Sequence, residues 1–243
     1  MILGLIPARL NSSRLPQKAL LKIDGLPLVI HVLKRAQLCK KLDKVIVCTD
    51  SQKIIELVKQ YKGDVMLTSS THKNGTERIA EIAKKINCKQ VVDIQCDEVL
   101  LDPRNIDNLI DFHKKNKQFD IVVPHSKIKK KTDKNVVKIV SNKFNKILYM
   151  SRENLPFSYK NKKNIYLRHL DIISFKPEIL HKISALPKSY NEKLEGIELL
   201  RGLDNNFNLG TFFINTDTFS VNTRKDFSEA TKLMKNCKIR KKY

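Results

Sequence analysis

The chain opens on an apolar run, Ile2 to Ile6, that stops at Pro7 and gives way to a polar stretch carrying Arg9, Asn11, Ser12, Ser13, Arg14 and Lys18. A short apolar run ended by turn residues predicts a buried strand, and the polar stretch is then the loop mounted on its end. Leu20 to Ile23 predicts a second, short strand, Asp24-Gly25 a turn, and Pro27 to Leu38 a helix with Leu28, Val29, Val32, Leu33 and Ala36 on one face. The pattern then alternates: strand at 44–49, helix at 51–61, a polar loop at 68–78 leading into a helix that ends near Ile86, strand at 91–95, helix at 103–117, strand at 120–124. Strand and helix in alternation predict a doubly wound α/β core with a parallel sheet, ending near residue 125.

Beyond that point the rhythm changes. Residues 126–134 read as a basic, turn-forming surface excursion, 135–140 and 146–151 as strands, and 193–203 as one amphipathic helix. That helix would carry Glu195 and Glu198 on one side at i, i+3, with Arg201 three residues further on.

Composition narrows the class without giving a function. A chain of 243 residues is long enough to bury a substantial core. Apolar runs fall short of the roughly 20 residues that span a bilayer, and a secretory leader is not evident, so a cytoplasmic protein with no membrane partner is expected. Five cysteines without a C-x-x-C pair predict reduced thiols rather than a disulfide frame or a zinc site. The net charge of +22 comes largely from lysines spread along the chain, with local runs only at 127–134 and 238–242. Aromatic residues are not interleaved with them, so a specific nucleic-acid partner is not expected and the lysines read as solvated surface.

Chemistry concentrates at strand ends. Arg9, Arg14 and Lys18, with small polar neighbours, sit where a parallel strand ends and suit a polyanion such as a triphosphate. Thr76, Glu77 and Arg78 at a helix start offer free backbone N–H groups and a cation, a place for an anion or for base and ribose contacts. Cys96-Asp97-Glu98 lies at the carboxyl end of a strand, where a carboxylate is suited to hold a divalent metal on nucleotide phosphates. Cys96 has no neighbouring base in sequence and does not read as a nucleophile. His31, in an apolar helix, reads as a packed or surface histidine rather than a catalyst.

The first loop resembles the signature of the sugar-activating cytidylyltransferases, above all the CMP-Kdo (CMP-3-deoxy-manno-octulosonate) synthetase family. The resemblance rests on Ile6 to Arg9, Ser13, Arg14 to Pro16, Lys18 and Leu20; Gln17 stands where the family usually has Gly. It continues through GLPLVIHVLKRA and through His72 with Gly75-Thr76-Glu77-Arg78. VDIQCDEVL supplies Gln95, Asp97 and Glu98, with Cys96 and Val99 in place of Gly and Pro. Ser151-Arg152 with Leu155-Pro156 and the Arg168-His169 pair follow, Asp171 and Ile173 replacing a common Gly and Tyr. Further on, Glu198 matches while Leu199 replaces a frequent Gln, and Asn222 stands in place of a metal-binding Asp. The resemblance runs from Ile2 to about Met234.

It implies a single nucleotidyltransferase domain, with residues 1–125 and 216–243 as the nucleotide-binding core and an antiparallel lobe at 126–215 for the acceptor and for a homodimer. CTP and a 3-deoxy-2-ulosonate would be the substrates, CMP-Kdo and pyrophosphate the products, and lipopolysaccharide or capsule synthesis the destination. Arg9, Arg14, Lys18 and Asp97 would be catalytic. Pro7, Ala8, Arg9, Ser13, Arg14, Lys18, Thr76, Arg78 and Gln95 would bind the nucleotide; Gln95, Arg152, Arg168, His169 and Glu198 the acceptor. Mg²⁺ would sit on Asp97 and Asn222, where an amide carries no charge, with Asp217 and Asp226 as further carboxylates. Another keto-deoxy acid (an 8-amino-Kdo or a nonulosonate) or a catalytically weak paralogue are the alternatives that the departures leave open.

Overall fold

The structure, a computed structural model, describes residues 1–10, 12, 15–129, 134–157, 159–160, 165–217 and 219–243. Two expected site residues, Ser13 and Arg14, lie outside the described residues, as do positions 130–133 of the basic excursion.

The first half is built of β1 (Ile2–Ala8), β2 (Lys22–Ile23), β3 (Leu26–Pro27), α1 (Leu28–Gln37), β4 (Lys44–Thr49), α2 (Gln52–Gln60), β5 (Asp64–Leu67), α3 (Gly75–Lys85), β6 (Gln90–Ile94) and α4 (Pro103–Lys115). The second half adds β7 (Ile121–Ile128), β8 (Lys138–Ser141), β9 (Ile147–Ser151), β10 (Tyr166–His169), β11 (Ile172–Phe175), α5 (Pro177–Ala185), α6 (Tyr190–Glu195), α7 (Leu200–Asp204), β12 (Leu209–Phe213) and α8 (Arg224–Lys235). No helix of the described residues is long and apolar enough to cross a membrane.

One sheet runs through both halves in the order β5-β4-β1-β6-β11-β7-β10-β8-β9, with β12 also on β7; β2 and β3 form a separate small pair. The β1, β4, β5 and β6 pairings are parallel, as the alternation predicts, and so is β12 on β7. The pairings of β11 with β6 and β7, and those that link β7, β10, β8 and β9, are antiparallel. Helices cover both faces: Ile6, Val92 and Ile94 pack toward α1 and α4, while Leu3, Leu5 and Val91 pack toward α3 and α5.

Several expectations are corrected. β7 continues to Ile128, so 126–128 form strand rather than excursion: Ser126 and Lys127 pair with Arg168 and Leu167. Residues 193–203 do not form one helix. A capping box at Ser189 and Glu192 starts α6 early, and Gly196 ends it in the left-handed region at φ 62. Arg201 then sits on α7, where its guanidinium forks onto the buried Glu192 carboxylate at 2.6 and 2.7 Å. The short β5, helix α5 and strand β12 are elements that the periodicity did not show. The half-polar β5 has only four residues, too few for a period to register.

β10 and β11 are successive lengths of one edge of β7, paired at 125–128 and 121–122, so that only Val123 and Pro124 stand opposite residues 170–173. Pro124 has no N–H to give, and its carbonyl accepts from Leu170 N at 3.0 Å. At this bulge the outer neighbour changes from β6, which pairs with β11, to β8, which pairs with β10. The sheet therefore forks at Leu170-Asp171, beside the carboxyl end of β6.

Candidate active site

The carboxyl ends of β1, β5 and β6 deliver the loops that wall a cleft, as an open parallel sheet dictates. Its first chamber, about 260 Å³, is lined by Pro7, Ala8, Arg9, Ser12, Lys18, the start of α3, Gln95, Cys96, Asp97, Glu198 and Asn222. Ser12 belongs to this lining. A second chamber of about 320 Å³ shares Gln95, Asp97, Glu198 and Asn222 with it and adds Asp93, Arg152, His169 and Asp171. A third, about 430 Å³, adjoins the second at His169, Asp171 and Ser220 and reaches Arg168.

Gly75 starts α3 because the backbone comes close to β1: a Cβ there would meet Pro7 Cγ at 3.3 Å. Asn74 caps the helix by accepting from Glu77 N at 2.8 Å, and Asn74 and Gly75 bring the helix start into the chamber lining. Arg78 lies on the same wall, with its guanidinium on Asp50 Oδ2 at 2.9 Å and on Thr68 Oγ1. It therefore fastens α3 to the ends of β4 and β5. Thr76 donates its hydroxyl to Glu198, so these two expected site residues meet across the boundary between chambers.

Lys18 extends its ammonium to Asp97 Oδ2 at 2.5 Å and to Asn222 Oδ1 at 3.4 Å. A cation thus stands between the two side chains named as metal ligands, which tests their fit directly: both present a hard oxygen toward one point. Among the described residues no group of three or more His, Cys, Asp or Glu side chains is placed to hold a metal. Two protein oxygens suit a Mg²⁺ whose other ligands are water and nucleotide phosphate. Burial raises the Asp97 carboxyl above its usual range, and the Lys18 ammonium pulls it back. Asp217, a fallback carboxylate, lines none of the three chambers. Asp226, the other, accepts from Asn222 N and Thr223 N at 3.0 and 2.8 Å, capping α8 instead.

On the acceptor side, Arg152 donates to the carbonyls of Glu195, Lys134 and Gly196, holding the turn after α6. It forms chamber wall. Glu198, in that turn, has its carboxyl raised by burial. His169 Nδ1 lies 3.1 Å from Asp171 Oδ1. The buried Asp93 carboxyl, raised well above its usual range by burial and by the nearby Glu198 charge, was missed by sequence reasoning. Its signal was available: Val91, Asp93 and Gln95 share one face of β6 by alternation. The Cys96 thiol is pushed up to about 12 by burial and the Asp97 charge, so it is no nucleophile at neutral pH.

The sequence model of the family described as Cytidylyltransferase matches residues 3–213. A 3-deoxy-manno-octulosonate cytidylyltransferase of Chlorobium limicola is 36% identical over 237 residues, 95% of this chain and 96% of that one. One of Thermodesulfovibrio yellowstonii is 34% identical over 246 residues, covering 94% and 96%. A solved CMP:2-keto-3-deoxy-manno-octonic acid synthetase complexed with CTP superposes with a TM-score of 0.91 at 29% identity, over 97% of this chain and 98% of that one. A cytidylyltransferase structure from Leptospira borgpetersenii, 18% identical with a TM-score of 0.66 over 97% and 87% of the two chains, shares the fold. With its triphosphate-sized cationic chamber opening onto a second, more acidic one, the chain belongs to the cytidylyltransferase family.

Proposed function

We propose that this enzyme transfers CMP from CTP to 3-deoxy-manno-octulosonate, giving CMP-Kdo and pyrophosphate. The observation that carries the reading is the joined cleft, in which the cationic chamber and the acceptor chamber meet at Gln95, Asp97, Glu198 and Asn222. Two substrates seated there place an acceptor hydroxyl beside the α-phosphorus, and the hydroxyl attacks in line while pyrophosphate leaves toward Arg9 and Lys18. The accompanying match to relatives named for this reaction spans nearly the whole chain.

Each residue has a task that positioning and charge can perform without a covalent intermediate. Arg9, Lys18 and the α3 amides take the triphosphate oxygens, whose charge grows on the leaving group. Arg168 and His169 face the sugar acid from the fork of the sheet, and Glu198 takes a sugar hydroxyl. Asp97 and Asn222 would hold Mg²⁺, which supplies charge neutralisation on the phosphates when bound.

A homodimer belongs to the same reading. Phe144 and Leu148 stand exposed on the β8-β9 hairpin at the end of the sheet, as do Phe157, Tyr159 and Ile165 between β9 and β10, apolar side chains suited to a second copy. The free cysteines agree with a cytoplasmic location.

The test is pyrophosphate release from CTP with Kdo and Mg²⁺, against controls without acid and with Asp97→Asn. Release that needs Kdo and is lost in Asp97→Asn supports the reading. Release with another keto-deoxy acid and none with Kdo would reject the acceptor, and bound CTP without turnover on any acid would reject catalysis. Sedimentation velocity decides the dimer.

A further inference from the structure

The bulge at the fork of the sheet puts a carboxylate where it touches three segments of the site at once. Asp171 receives His169 Nδ1 at 3.1 Å on one oxygen and the Ser220 hydroxyl on the other. Its own carbonyl accepts from Gln95 N at 3.2 Å, fixing it to the end of β6. Ser220 lies two residues before Asn222 and its hydroxyl oxygen is also 3.0 Å from Glu98 Oε1, while Val221 N donates to the carbonyl of Asp97 at 3.0 Å. The β10-β11 turn, the loop after β6 and the loop before α8 are thus tied at one residue. Asp171 lines both the second and the third chamber, next to His169 in each.

We propose that Asp171 is a positioning residue for the acceptor: it takes the Nδ1 proton of His169, fixes the tilt of that ring, and leaves Nε2 as the nitrogen offered to the sugar acid. The physical reason is that a neutral imidazole has one donor and one acceptor nitrogen, and the hydrogen bond to one settles the role of the other. A carboxylate accepts only, so it selects the Nδ1–H form. The fork supplies this geometry because residues two apart fall on one face of an extended chain, and the bulge between β10 and β11 leaves Asp171 out of the ladder beside His169. The proposal rests on the reading of the second chamber as the acceptor site.

Two readouts test it. Long-range ¹H–¹⁵N spectra of the imidazole rings in the full chain, assigned with His169→Gln, should show His169 as the Nδ1–H tautomer, and Asp171→Leu or Asp171→Gly, neither of which offers Nδ1 a side-chain acceptor, should shift it toward Nε2–H. In steady-state kinetics the same variants should raise KM for Kdo roughly tenfold, the effect of losing one charge-assisted hydrogen bond, with KM for CTP within about twofold. Thermal melts show whether each variant is folded, and the similarly sized Leu variant stands in should the Gly variant fail to fold. A ring that keeps its tautomer in a folded Leu or Gly variant overturns the proposal, as does an equal rise in both KM values. Should the native enzyme release no pyrophosphate with Kdo, the reaction reading falls, and the tautomer spectra by themselves uphold or overturn the positioning role.

Discussion

Lys18 and Asp97, from the loops after β1 and β6, form an ion pair at 2.5 Å with both side chains largely shielded from solvent. A short ion pair across the mouth of the cleft has two consequences. It balances the charge of a buried carboxylate before substrate arrives, and it places an ammonium where phosphate oxygens will compete for it. Lys18→Met should therefore lower kcat/KM for CTP by about 10²–10³. Asp97→Asn should lower kcat by at least as much. Pyrophosphate release checks both, and a change below tenfold in either variant would remove that residue from the reaction.

The neutral Asn222 gives a second expectation. An aspartate there would add a charge to the point where Lys18 and Asp97 already meet. Asn222→Asp should lower the Mg²⁺ concentration for half-maximal rate about tenfold, since charge count sets the affinity of a hard-cation site. Magnesium titrations at saturating CTP read this directly. An unchanged midpoint would place the metal on Asp97 and the phosphates alone.

Gln17 has φ 51, in the left-handed region that glycine adopts without strain. Its place in the first loop explains the departure seen in sequence: the turn demands the conformation whichever residue supplies it. Gln17→Gly should stabilise the protein by about 0.5–1 kcal/mol, the αL penalty less the added chain entropy. Urea unfolding is the measurement, and a loss of stability would show that the Gln side chain contributes contacts worth more than its strain.

Glu192 and Arg201 are almost fully buried and joined by two hydrogen bonds. The Arg201 guanidinium also donates to the carbonyls of Ile183 and Leu186, so it joins α5, α6 and α7. Removing one partner leaves an unpaired charge in the interior. Arg201→Met or Glu192→Gln should each cost about 3–5 kcal/mol, and the double variant less than the sum.

His125 titrates in the interior. Burial, then the Lys127 charge, lower it from 6.5 to about 4. Because the folded value lies below the unfolded one, the neutral ring is favoured in the native state. Its contribution is full above pH 6.5 and lost as pH falls from 6.5 toward 4, on the order of 3 kcal/mol. His125→Gln should flatten the fall in unfolding free energy over that window. An unchanged slope would assign the acid sensitivity to other groups.

The nucleotide half was legible because its strands are continuous apolar runs and its loops carry chemistry at fixed spacing: Lys18, Asp97 and Asn222 were named from sequence and meet in space. The acceptor half was less so. One left-handed residue, Gly196, divides a convincing helical period, and a local capping box overrules it. Arg78 and Arg152 carry the right charge for a ligand, yet their guanidinium groups bind Asp50 and backbone carbonyls, which no spacing announces. Asp93 stands in an apolar strand, and alternation sets it on the face of Gln95, but its burial comes only from the packing of the sheet.

β7 carries a further implication. It pairs with β11 and β12 over its first residues and with β10 over its last, and β11 pairs in turn with β6, so one continuous sheet joins the two halves. β6 and β11 both line the second chamber, and among the described residues no hinge strand separates the halves on which they could swing shut. Bringing the two substrates to reacting distance must fall to the rim: the loop after β1, the start of α3 and the turn after α6. Mutations in β7 should then unfold the protein as a whole, while mutations at the rim should alter one substrate's binding and spare the other's.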